Sequence, residues 1–340
     1  MRKPDFNTLL RILERKKPDR PTLFEFFLNK PLYEKIADKE IVAANPDWQW
    51  NTVCPVLISA FKNAGYDYVT VQGSTFTFPN HEPEHKKTIS LNAGNAIYDI
   101  DSFKKYPWQN PEDSDYSQLK KADDMLPEGM KLIVCGPCGV LENAIALVGY
   151  ERLCMLSFDN PKLAGDIFNA IGDRLVKYYK ICASYESVGA LISNDDWGFK
   201  TQTMLSPADM RKYVLPWHKK IVDVIHNAGK PAILHSCGKL DEVMDDIIKI
   251  GYDAKHSYED IIEPVENFYS RMSGKIAVVG GLDLNFVINS SEQQIAKRAK
   301  DMLKLSEKKG GYALGTGNSV PDYVPDEKYF AMINVVRKAE

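Results

Sequence analysis

His235, Ser236, Cys237 and Gly238 follow one another at the end of an apolar, β-branched run. A strand sends alternate side chains to one face, so H-x-C aims an imidazole and a thiol at one spot. Those are two good ligands for zinc, one borderline and one soft. Gly238 lets the backbone turn away at once. The next apolar run ends in His256-Ser-Tyr-Glu259, and His256 or Glu259 would complete a three-ligand site with an open position, the arrangement of a catalytic zinc. Asn194-Asp195-Asp196-Trp197-Gly198 closes the run before it. Adjacent carboxylates there suit general acid–base work or substrate binding, and equally a helix cap beside a solvated loop. Cys135-Gly-Pro-Cys138 is a C-x-x-C with no thioredoxin-like context, so shaping a loop is the better reading. His81 and His85 in H-E-P-E-H sit four apart but flank a proline in loop-like sequence. His218 and His226 fall inside a helical stretch, where a structural role is expected. Trp48, Trp50, Trp108 and Trp197 read as core or lid residues.

Eight apolar runs bounded by Gly, Pro or Asp would position these groups: Pro21–Phe27, Tyr66–Gln72, Lys131–Cys135, Gly189–Asn194, Pro231–Ser236, Tyr252–Ser257, Lys275–Val279 and Tyr312–Thr316. Most are near-continuously hydrophobic, as parallel strands covered on both faces are. Helical periodicity fills the intervals, notably Asn160–Glu186, Leu240–Ile250 and Ser291–Lys309. Ser206 and Pro207 open another helix as N-cap and first-turn proline, Gly229 closes it, and Pro216 should kink it. Eight strand–helix alternations predict an α/β TIM (β/α)8 barrel, and the lack of G-x-G-x-x-G after the first run disfavours a doubly wound sheet. The 74–130 stretch is too long for a plain loop. It reads as an insertion between strands 2 and 3, lying over the barrel mouth and carrying a hairpin at Lys86–Asp101. The whole chain, 1–340, is thus expected to be one domain. Active sites of such barrels lie at the C-terminal strand ends. That filter selects Glu25, Asp195, Asp196, His235, Cys237, His256, Glu259, Asp283 and Thr316–Ser319.

Composition adds exclusions. The 340 residues carry 43 Lys+Arg against 46 Asp+Glu, a net charge of −3 that provides no global attraction to nucleic acid or an anionic membrane. No apolar stretch approaches a spanning helix, and the charged N-terminus lacks the apolar core of a secretion signal. Six cysteines are too sparse for a disulfide scaffold. A cytoplasmic chain is expected.

The chain resembles the uroporphyrinogen decarboxylase superfamily of TIM barrels. The carriers are DNPKLAGDIFNAIGDRLVKYYK, GALISNDDWG, SPADMRKYVLPWHKKIVDVIHNAGKPAILHSCGKL, GYDAKHSYED, VVGGLDL and GTGNSVPDYVP. The superfamily's decarboxylases hold tetrapyrrole carboxylates with arginines after the first strand. Here residues 24–33 contain none, which argues against an octacarboxylate substrate. Its other branch comprises zinc- and corrinoid-dependent methyltransferases of the methylcobalamin:coenzyme M methyltransferase type. The resemblance to them implies Zn2+ on His235, Cys237 and Glu259, with Asp195 or Asp196 positioning substrate or moving a proton. It also implies a methyl or Co(I) corrinoid carried by a partner protein, and a small O-, N- or S-methyl substrate. That branch carries a further cysteine near the last strand. No cysteine follows Cys237 here, which leaves the fourth metal ligand open. The alternatives are a metal-free decarboxylase and a non-enzymatic corrinoid-binding partner. A homo-oligomer is left open.

Overall fold

The computed structural model describes residues 2–49, 51–80 and 90–338. Its centre is a curled parallel sheet of seven strands in sequential order: β1 (Tyr68–Gln72), β2 (Lys131–Cys135), β3 (Val188–Asn194), β4 (Ala232–His235), β5 (Ala254–His256), β6 (Ala277–Val279) and β7 (Tyr312–Ala313). These correspond to seven of the eight expected runs: β2 coincides with its run, and the other six differ from theirs at one or both ends. Sequential parallel order with helical crossovers is compatible with a (β/α)8-barrel-like fold.

The eighth expected strand, Pro21–Phe27, forms no continuous ladder. Leu23 bridges Leu314 and Leu28 bridges Val320, both parallel, so this segment lies along the β7 edge. On its other side the Tyr68 hydroxyl takes the Glu25 N–H at 2.7 Å and donates to the Glu25 carbonyl at 2.6 Å. A side chain thus occupies the place of main-chain pairing with β1.

The long helix predicted at Asn160–Glu186 is Pro161–Ala183, with the Asn160 side chain capping the Leu163 N–H. The predicted kink near Pro216 is a widened π turn, Met210–Val214, in which the Leu215 N–H reaches the Met210 carbonyl. Pro216 offers no N–H to the Lys212 carbonyl and its ring crowds it, so the helix opens there instead of breaking. The hairpin expected at Lys86–Asp101 is absent from its described part: residues 90–99 are irregular and a helix, Ile100–Lys105, begins where a strand was expected. Asp99 caps this helix through the Ser102 N–H, a local bond that favours a helix start over a strand. His81, His85 and Trp50 lie outside the described residues. Among the described residues, no helix is long and apolar enough to cross a membrane.

The core is continuous and apolar, and strand residues on both faces of the sheet are fully buried, Ile133 and Ile192 on one and Leu234 and Val278 on the other. Burial at ~25 cal/mol per Å2 makes such a layer the main contributor to stability. Polar groups at the strand ends stand on this foundation.

Candidate metal centre at the strand ends

Register places the site. Asn194 pairs with His235, and His235 with His256, so the ends of β3, β4 and β5 lie side by side. The Asp195 N–H donates to the His235 carbonyl at 3.0 Å, carrying the pairing one residue further. Beyond it the Cys237 N–H donates to Asp196 Oδ1 at 2.9 Å, which clamps these two side-chain carriers together. Gly238 has φ +87°, and an added Cβ would collide with the Gly198 backbone, so the turn after H-x-C requires glycine.

The outcome is a three-donor cluster. Ligand atoms of Asp196, His235 and Cys237 all lie within 4.8 Å of one another. His235 Nε2 is 3.9 Å from Cys237 Sγ and 4.0 Å from Asp196 Oδ1. Tetrahedral zinc with N, S and O ligands has donor–donor edges of about 3.3–3.6 Å, so the two edges from His235 would have to shorten by about 0.3–0.7 Å to seat the ion. The donor set, one imidazole, one thiol and one carboxylate, suits zinc chemically. Glu259 is not a member of this group. Its backbone carbonyl takes the Ile262 and Glu263 N–H groups, and it lines a small neighbouring cavity with Lys255, Tyr258 and Arg271.

The two histidines form a relay. His256 Nε2 reaches the Thr316 carbonyl at 3.3 Å, and a carbonyl only accepts, so this nitrogen carries the hydrogen. His256 Nδ1 meets His235 Nδ1 at 2.8 Å. Burial holds His256 down to about 3, and holds His235 well below the ordinary imidazole range, with the neighbouring His256 and Lys255 charges adding to the effect. Phe24 and Phe26 pack on these rings at 5.3 and 4.6 Å between centroids.

Cys237 Sγ accepts from Ser257 Oγ at 3.2 Å and from Asn318 Nδ2 at 3.3 Å. Burial, and then Asp196, push the free thiol up to about 12. Two donors aimed at sulfur would favour a thiolate once a cation compensates its charge. Ser257 sits at φ +83°, a costly backbone region for a serine. Lys255, fully buried, donates to the Ser257 carbonyl at 2.6 Å and more distantly to the Ser236 and His256 carbonyls, which secures that conformation. Burial lowers the Lys255 ammonium to about 8.

The loop after β7 is tied to the first segment by Glu25. The Thr316 N–H donates to Glu25 Oε1 at 2.7 Å, and the Thr316 hydroxyl bonds Glu25 Oε2 at 2.6 Å while also reaching the Asn318 carbonyl. One hydroxyl proton cannot serve two acceptors, so a proton on the Glu25 carboxyl completes the set. Burial agrees, raising this group to about 8.

Asp195 behaves differently from its neighbour. It is fully buried and accepts from the Leu141 and Glu142 N–H groups at 3.0 and 2.9 Å and from His218 Nε2 at 2.9 Å. It thereby caps the Val140–Val148 helix from outside and meets the positive end of its dipole. His218 has the structural surroundings expected of it, with Nδ1 at 2.6 Å from the Tyr252 hydroxyl. His226 bonds Asp253 at 2.8 Å. Cys135 is buried against the Val71 carbonyl, Cys138 is exposed, and all six cysteines are free.

Four participants escaped the sequence reading: Ser257, Lys255, Asn318 as a sulfur partner, and Glu142. Glu142 is raised above the usual carboxyl range by burial and then by the Asp195 and Asp196 charges. Asn318 lay within the selected Thr316–Ser319 stretch. Glu142 sits in helical sequence and carries no signal of its own.

The family model for uroporphyrinogen decarboxylase (URO-D) matches residues 94–339, and the chain belongs to that family. Among solved structures, the methyltransferase from Methanosarcina mazei superposes with a TM-score of 0.67 over 97% of both chains at 14% identity, a likeness of fold. Curated relatives include the uroporphyrinogen decarboxylase of Anaeromyxobacter sp. (strain Fw109-5), 22% identical over 60% of this chain and 56% of that protein. That of Myxococcus xanthus (strain DK1622) is 27% identical over 55% of this chain and 51% of its own length. The chain spans about half the length of these relatives.

Proposed function

We propose that this chain is a zinc-dependent methyltransferase. It would move a methyl group between a small O-, N- or S-methyl compound and a corrinoid carried by a partner protein. The observation that carries the reading is the Asp196–His235–Cys237 cluster at the strand ends. Similarity of fold to a methyltransferase supports it. Zinc held there would act as a Lewis acid toward the heteroatom bearing the methyl group.

The chain's own residues would do the rest. His235 and Cys237 are the proposed ligands, and Asp196 takes the third place that the resemblance assigned to Glu259. Ser257 and Asn318 steady the sulfur. As a ligand Asp196 would stay ionised and would not also hold a proton, while Asp195 fixes the adjacent backbone. We read residues 1–340 as one domain whose 74–130 connection, apart from residues 81–89 outside the described ones, would cover the mouth and exclude water. In support, Gln118 of that connection donates to the Gln72 carbonyl at the end of β1, at 2.8 Å.

The test is metal analysis of wild type, His235→Ala and Cys237→Ala, followed by methyl transfer to free Co(I) cobalamin from methyl ethers, methylamines and methyl thioethers. Zinc in the wild type alone and turnover of one donor class are expected. Unchanged zinc content in both variants would end the reading. The curated relatives favour a second reading, a decarboxylase, which predicts no zinc and tight binding of polycarboxylates. The arginine-free 24–33 stretch weighs against it.

A further inference from the structure

We infer that His256 is a positioning residue: by accepting the Nδ1 hydrogen of His235, it keeps His235 Nε2 as a bare lone pair facing Cys237 and Asp196. The argument is one of hydrogen accounting. The Thr316 carbonyl has lone pairs only, so His256 Nε2 must donate to it. A neutral ring with its hydrogen on Nε2 has a lone pair at Nδ1, and this ring is fully buried among Phe24, Phe26 and His235. Its Nδ1 is therefore an acceptor. The 2.8 Å contact to His235 Nδ1 is then a hydrogen bond donated by His235. An imidazole with hydrogen on Nδ1 has its other nitrogen free, and that nitrogen is the one 3.9 Å from Cys237 Sγ.

The chain leaves room for this relay. A Cβ on Gly280 would lie 2.9 Å from His256 Nε2 and would collide with the Thr316 carbonyl, and Gly280 has φ +78°. The carbonyl is itself placed by Glu25, through the Thr316 N–H and hydroxyl. A ligating histidine whose second nitrogen is engaged behind it is pre-set in tautomer and ring orientation, which is worth 10–100-fold in metal affinity. Here a second imidazole fills the place that a carboxylate or carbonyl usually takes. The relay also makes His256 unavailable as a ligand, although H-S-Y-E had suggested it.

The inference rests on the zinc reading for its affinity arm only. The first arm is two-bond 1H–15N correlation of the metal-free, 15N-labelled protein, with the six histidines assigned by substitution. His235 is expected with hydrogen on Nδ1 and His256 with hydrogen on Nε2. Hydrogen on His235 Nε2 would overturn the inference whether or not the protein binds zinc. The second arm is zinc affinity by chelator competition. His256→Phe should weaken it by about 10–100-fold and release His235 to the other tautomer. His256→Asn, which keeps an acceptor near the Nδ1 position, should retain most of the affinity and the wild-type tautomer. Equal affinities in folded wild type and His256→Phe would overturn the inference, while an absence of zinc binding in the wild type would sink the proposed function and leave the first arm to decide.

Discussion

Asp195 and Asp196 are neighbours in sequence and opposites in structure. Asp195 belongs to a network with His218, Tyr252 and a helix start in which each carboxylate oxygen ends on a protein donor. Asp196 belongs to a region that stops short of closure: an imidazole nitrogen, a sulfur and a carboxylate oxygen converge within 4.8 Å of one another. Both regions are polar and both use a histidine, but the first is fully buried and the second only partly so. The difference is where the hydrogen bonds end. A network that terminates on itself contributes stability, and one that terminates on converging lone pairs is prepared for a cation.

The comparison can be broken most forcefully at Asp195. Asp195→Ala strands two buried donors and a partly buried one and should cost about 3–5 kcal/mol, read as a fall in the urea midpoint. A loss under 1 kcal/mol would dissolve the distinction. His235→Ala and Cys237→Ala should instead reduce zinc affinity by about 100-fold or more, with metal-free stability changed by no more than about 1–2 kcal/mol.

Glu25 sharpens the contrast through pH. Its folded value is raised to about 8, so the folded state retains a proton that the unfolded chain releases in the ordinary carboxyl range. Its contribution is therefore fully present below that range and is lost as pH rises through about 8, by up to about 5 kcal/mol. Glu25→Gln keeps an acceptor for the Thr316 N–H and a donor for its hydroxyl. Denaturation at pH 6 and pH 9 should show this part of the slope removed; an unchanged slope would mean that Glu25 carries no proton. The smallest effect is expected at Glu259→Gln, where zinc affinity should move by less than about twofold; a tenfold loss would return Glu259 to the ligand set.

Much of the scaffold was legible because buried parallel strands announce themselves as apolar runs, and seven of eight runs fall on strands. The run at Pro21–Phe27 was readable as buried and extended. That it pairs by isolated bridges depends on the Tyr68 hydroxyl, a contact 43 residues distant. The H-x-C pair was legible for a local reason, since period-two alternation aims both side chains one way. The choice between Asp196 and Glu259 was not, because it turns on how far each chain travels beyond its strand before turning. Asp196 lies two residues past β3 and is clamped to the Cys237 N–H. Glu259 lies three past β5, beyond a left-handed Ser257 that sends the chain aside.

What the sequence by itself determined is the alternation of strands and helices, the position of H-x-C at a strand end, and the lack of any cysteine after Cys237. These are set by local periodicity and by residue type. Only the tertiary structure decided which of two adjacent aspartates faces the cluster, which nitrogen of His235 is free, and that Asn318 meets Cys237 from 81 residues away. Those depend on register between strands and on where each hydrogen has an acceptor, and neither exists until the strands are side by side.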